Sequence, residues 1–131
     1  MGIPTEARLG YVPHFEVTAT DGGRVRYRDI WQHRNLVLAV LPPDQQTAAV
    51  RYAHSLMRRR RDFDEAETSV VVTTDSVPGV AAPHVLIADR WGEIQHNIAV
   101  PEPGDATALP DVDELLSWIR FVRMQCPECP P

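Results

Sequence analysis

The stretch from Leu36 to Arg61, LVLAVLPPDQQTAAVRYAHSLMRRRR, constrains this chain more than any other. Leu36–Leu41 is an unbroken apolar run, which reads as a strand buried on both faces. Pro42 and Pro43 stop it, because proline fixes φ and cannot donate to a sheet ladder. A helical pattern follows at once. Ala49, Val50, Ala53, Leu56 and Met57 recur at the spacing of one helix face. The helix is expected to end near Arg58–Arg61, where cations suit the C-terminal dipole. A strand, a tight turn and a helix in this order place the helix N-terminus at the C-terminal edge of a central strand. Open α/β sheets put their chemistry at that edge.

The remaining elements fit around this unit. Glu16–Ala19 and Val25–Tyr27 alternate on either side of Asp21-Gly22-Gly23, a hairpin signal. Arg28–Arg34 reads as a short helical turn that packs Ile30 and Trp31 on the sheet. Ser69–Thr74 is a second buried strand, so a βαβ crossover is expected. Asp75–Ala82 is a loop, with room for one helical turn. His84–Asp89 and Ile94–Val100 form a hairpin around Arg90-Trp91-Gly92-Glu93. After a proline-rich acidic loop at 101–110, Asp111 and Glu114 have capping-box spacing. Val112, Leu115, Leu116, Ile119 and Val122 then mark the buried stripe of a last helix.

With 131 residues the expectation is one domain over 1–125, followed by a short tail at 126–131. A net charge of −5 argues against a nucleic-acid partner. No apolar stretch reaches the roughly 20 residues needed to span a bilayer, and no leader pattern opens the chain, so a cytoplasmic protein without a membrane partner is expected. All thirteen basic residues are arginine. The Arg58–Arg61 run is followed by Asp62, Asp64, Glu65 and Glu67, which reads as a solvated helix end with compensating acids. The five histidines form no metal-ligand motif, and no cofactor is expected. His54 reads as solvated; His84, after Pro83, is an acid/base candidate.

The element order resembles the thioredoxin fold with the N-terminal hairpin of the redoxin group, which includes the peroxiredoxins. The motifs that carry the resemblance are Val12-Pro-His-Phe15, Asp21-Gly-Gly-Arg-Val25, Ile30–Leu38 and Ala82-Pro83-His84-Val-Leu-Ile-Ala-Asp89-Arg-Trp-Gly92. The resemblance implies an α/β fold: a central mixed sheet, an N-terminal β-hairpin and flanking helices. It also implies a site. The peroxiredoxin pattern P-x-x-x-T-x-x-C matches Pro43 and Thr47 in register and puts Val50 where the family has its peroxidatic cysteine. Valine can neither ionise nor accept an oxygen. The thioredoxin C-x-x-C is absent from the same helix start, so neither family reaction is expected there. Thr47 reads as a helix N-terminal hydroxyl cap, the alternative being a leftover of the peroxide pocket. Pro83 matches the proline that is cis beside the active site in thioredoxin-like folds.

Cys126-Pro-Glu-Cys129 holds both cysteines of the chain. C-P-x-C is a redox spacing. It follows the last helix at the end where the dipole disfavours a thiolate. As a metal site it supplies two of the usual four ligands. Three readings stay open: a thiol-redox pair acting on another thiol protein, half of a zinc site bridging a homodimer, and an inert tail. The last would leave a non-catalytic interaction module that uses the groove beside Pro83.

Overall fold

The computed structural model describes residues 10–99 and 109–124. β1 (Glu16–Thr18) and β2 (Arg24–Arg26) pair antiparallel as the expected hairpin, with Val17 opposite Val25. Gly22 turns the chain at φ +90, and the Gly23 N–H donates to Asp21 Oδ1 at 2.8 Å. That left-handed residue is why the turn needs glycine. A 3-10 turn, Tyr27–Asp29, then leads into buried Ile30 and half-buried Trp31, as the sequence suggested.

The apolar run becomes β3 (Asn35–Val40), buried along its whole length. It is the second strand of a four-stranded sheet with β4 (Thr68–Thr73), β5 (His84–Ala88) and β6 (Ile94–Ala99), in the order β4-β3-β5-β6. β3 and β4 are parallel, with Leu36 beside Ser69 and Val40 beside Thr73. β5 runs antiparallel to β3, and β6 antiparallel to β5. The parallel pair requires a crossover. It is supplied by α1 (Gln46–Met57) and α2 (Arg60–Glu65).

Side-chain alternation along β3 builds two cores. Val37 and Ala39 face the helices, where they meet Ala49, Tyr52, Leu56, Phe63, Leu115 and Ile119. Leu36, Leu38 and Val40 face the hairpin and meet Phe15, Val17, Tyr27 and Ile30. Each fully buried Leu, Ile or Phe contributes about 1.5–3 kcal/mol. A strand apolar on both faces therefore commits the chain to a covered sheet.

Two expectations about the crossover helix need correction. Its buried residues are Ala49, Tyr52 and Leu56, whereas Met57 is 43% exposed and Val50 half-buried. The inward face is thus rotated towards Tyr52, whose hydroxyl donates to Pro110 O at 2.6 Å. Nor does one helix run through the arginines. It stops at Met57, and a second begins at Arg60. Phe63 is buried in the core, and Arg59 turns to Asp62 (2.6 Å) and Asp113 (2.8 Å). With Arg60 near Asp64 at 3.7 Å, the run is the solvated, acid-compensated feature expected. Such exposed pairs are each worth about 0–1 kcal/mol.

α3 (Val112–Met124) opens on the expected cap: the Glu114 N–H donates to Asp111 Oδ1 at 2.8 Å. Leu115, Leu116, Ile119 and Val122 are buried, and Val112 is half-buried. Asp111→Ala should lower the unfolding free energy by ~1 kcal/mol in urea denaturation, the usual loss for a capping side chain. An unchanged midpoint would mean that the bond contributes nothing in solution. No helix among the described residues is long and apolar enough to cross a membrane.

Candidate functional site

The edge formed by the C-terminal end of β3 and the start of α1 is where the sequence places the site. Leu41 leaves the ladder but stays buried, and its N–H still donates to Thr73 O at 2.9 Å. Pro42 is extended (φ −61, ψ 151). Pro43 then opens a 3-10 turn, Pro43–Gln45, that runs directly into α1. Proline suits that first position, because its fixed φ is helical and its missing N–H would be unpaired there anyway.

Thr47 is not the cap. Gln45 occupies the cap position, with no side-chain cap hydrogen bond, and Thr47 is the second residue of the helix, exposed. A cap has to precede the helix with extended backbone so that its oxygen reaches forward to free N–H groups. The 3-10 turn moves the start of α1 too early for Thr47 to do so. Val50 is the fifth helical residue, half-buried and just beyond the first turn. The field of the helix terminus falls off within that turn.

The opposite wall comes from β4 and β5. Thr74 Oγ1 donates to Gln46 Oε1 at 2.8 Å, tying the exit of β4 to the first residue of α1. The Ala82–Pro83 bond is cis, in agreement with the family pattern. His84 follows at the first position of β5, beside Val40 of β3. Its ring meets the side chain of Asn97 on β6 through Nε2 and Oδ1. Burial lowers the His84 pKa. The site edge thus carries this imidazole, hydroxyls and amides beside the carboxylate of Asp44. Pro43, Thr47, Val50 and Pro83 all lie along this edge, whereas Cys126 and Cys129 lie outside the described residues. Among the described residues, no group of three or more His, Cys, Asp or Glu could hold a metal.

Asn97 was not anticipated from the sequence. The signal for it is the hairpin register. Asn97 stands opposite Leu86 and His84 opposite Ala99, so the two polar side chains share a face one step apart.

A second histidine behaves similarly. His96, on the other face of β6, stacks on Trp118 of α3 with ring centroids 3.8 Å apart. Burial lowers its pKa, and the Glu114 charge partly opposes this. Both shifts have the same consequence. The folded state takes up the protons less readily than the unfolded chain does, so the unfolded state gains them first as pH falls. The contribution of these residues is complete above the ordinary histidine pKa of about 6.5 and declines below it. Denaturation midpoints should therefore drop as the pH is lowered below about 6.5, and His84→Gln, His96→Gln should flatten the slope. A slope of equal size in that variant would place its origin in the carboxylates.

No protein-family model matches the sequence, and no curated protein matches it. Solved structures do match. The reduced 2-Cys peroxiredoxin of Plasmodium vivax superposes with a TM-score of 0.68 at 14% identity, covering 95% of this chain and 87% of that one. A yeast mitochondrial 1-Cys peroxiredoxin gives 0.68 at 12% identity, over 92% and 78%. Peroxiredoxin Q of Xanthomonas campestris gives 0.61 at 11% identity, over 88% and 98%. The fold is thus of the thioredoxin-like class. More particularly, it is the peroxiredoxin-like form, with an N-terminal hairpin and a mixed four-stranded sheet. Identities this low speak to the fold alone.

Proposed function

We propose that this protein is a divergent redoxin whose thiol chemistry resides in Cys126 and Cys129, and that the edge from Pro43 to Val50 is not a peroxidase site. The observation that carries the reading comes from the sequence. The fold is the one that peroxiredoxins use, yet no cysteine lies between residues 42 and 50, and both cysteines of the chain fall in a single C-P-E-C motif. The thiolate, not the thiol, is the nucleophile in disulfide exchange. In the proposed step, the thiolate of one cysteine attacks a disulfide of a partner protein. A mixed disulfide forms and the partner's first sulfur leaves as thiolate. The second cysteine, as thiolate, then attacks the mixed disulfide and releases the partner's other sulfur. The partner is reduced by two electrons, and Cys126 and Cys129 become joined.

Thiol titration with and without prior reduction, together with zinc analysis, tests this assignment. The reading expects two titratable thiols per chain after reduction and almost none after mild oxidation. Stoichiometric zinc, released with a large loss of stability, would favour the zinc-bridged homodimer. Two thiols that resist mild oxidation, without zinc, would favour a non-catalytic module.

A further inference from the structure

We propose that residues 75–82 form a strap that lifts from the body of the protein as one unit, and that Asp75 holds it down. The strap joins the exit of β4 to the cis bond at Pro83, and so borders the candidate site. Val77 is its buried side chain and Val80 is half-buried, while the remaining residues are exposed. It pairs with itself: Val80 N–H donates to Val77 O at 3.0 Å, around Pro78 and Gly79. Gly79 turns at φ +80. A short segment with one buried anchor and a self-contained turn belongs to the low end of local stability.

What fastens it is specific. Asp75 Oδ2 accepts the Thr18 N–H of the hairpin at 2.7 Å. The Asp75 N–H donates to Thr73 Oγ1 at 3.0 Å, and that hydroxyl donates to Thr18 O at 2.7 Å. Thr73 is fully buried at the end of β4, next to the Ala19 bridge. The hydroxyl is therefore a fixed post, with one bond in and one out, and the exposed carboxylate is the part that can let go. A hydrogen bond to a charged acceptor is stronger than a neutral one. Thr74, between the two, reaches Gln46 of α1, so the fastening joins hairpin, strap and helix start at one point. Beneath the strap, Val77 packs in the cluster that contains Val40, Val71 and Leu86. Lifting it uncovers apolar surface at the end of the sheet, beside Val40, Val71 and Leu86. The opening itself does not depend on the assignment of the thiols.

Hydrogen exchange on the full chain tests the proposal, with Asp75→Ala releasing the clasp and Val77→Ala removing the buried anchor. In Val77→Ala the amides of Thr18 and Asp75, which the clasp protects, should exchange about tenfold faster, and in Asp75→Ala the amide of residue 75 should do so, after correction for any change in global stability. The amides of β3 and β5 should keep their corrected rates. In Asp75→Ala the Thr18 amide should join the fast group. If Asp75→Ala does not fold, Asp75→Asn is held to the same criterion. The proposal is overturned if the residue-75 and Thr18 amides exchange in step with β3 and β5 in every variant that folds, or if their rates do not change.

Discussion

Phe63→Ala should cost about 3–5 kcal/mol of unfolding free energy, the range for truncating a buried aromatic side chain. Phe63 is 1% exposed and lies in the core between the sheet and the helices, together with Leu56, Ala66 and Ile119. It is the buried residue of α2. The loss is that of the buried surface where the second crossover helix meets the sheet. Small domains are stable by only about 5–15 kcal/mol, so the variant should be close to unfolding at moderate temperature. Phe121 is the control. It is 52% exposed, stands edge-on to Trp118, and its replacement by alanine should fall within about 0.5 kcal/mol of the parent. Urea denaturation of both variants is decisive. Equal losses, or a loss below about 1 kcal/mol for Phe63→Ala, would show that the crossover does not pack as described.

Much of this architecture is legible in the chain because hydrophobic pattern carries it. β3 and β4 each begin one residue before the stretches read from the sequence and end one residue earlier. The offset has a physical source. Leu41 is buried like the strand but lies next to Pro42, whereas Asn35 is polar but buried, its amide reaching Ala66 O at 3.3 Å. Burial and ladder pairing are separate properties, and an apolar run reports only the first.

The break between α1 and α2 had no such signal. Arginine is a good helix former, and the residue that ends α2 in the left-handed region is Glu67, φ +54, where a glycine would have announced the stop. Tyr52 was missed because a residue with a polar tip is ambiguous on a helix face. Its partner, Pro110 O, is 58 residues away in sequence. The Tyr52 hydroxyl is held well above its ordinary pKa, first by burial and then by the nearby charges of Glu114 and Asp111, so it remains a donor at any pH of interest.

The site was legible in part and for similar reasons. Pro43 and Pro83 act through the backbone, and the structure puts both on the predicted edge. Thr47 failed as a cap because a shift of two residues in the helix start changes what a hydroxyl can reach. The clasp at Asp75 spans 57 residues of sequence to Thr18, and no local pattern encodes a contact of that range. The same edge has no thiol in its sequence from Pro42 to Val50. Both cysteines of the chain lie instead in the C-P-E-C motif.

The most direct test of the account is the rate at which the reduced protein turns over a protein disulfide with glutathione as electron source, compared with that of Cys126→Ser, Cys129→Ser. The expected effect on activity is complete loss, to the uncatalysed background. The expected effect on stability is small. The ring closed by Cys126 and Cys129 is short, so joining them removes far less unfolded-state entropy than the roughly 3 kcal/mol of a 15-residue loop. The parent and the variant should melt within a few degrees of each other. The parent should also gain and lose its disulfide reversibly in glutathione buffers without unfolding. A parent no faster than the double serine variant would contradict the assignment of the chemistry to Cys126 and Cys129, and peroxide turnover that survives in that variant would return the active site to the Pro43–Val50 edge.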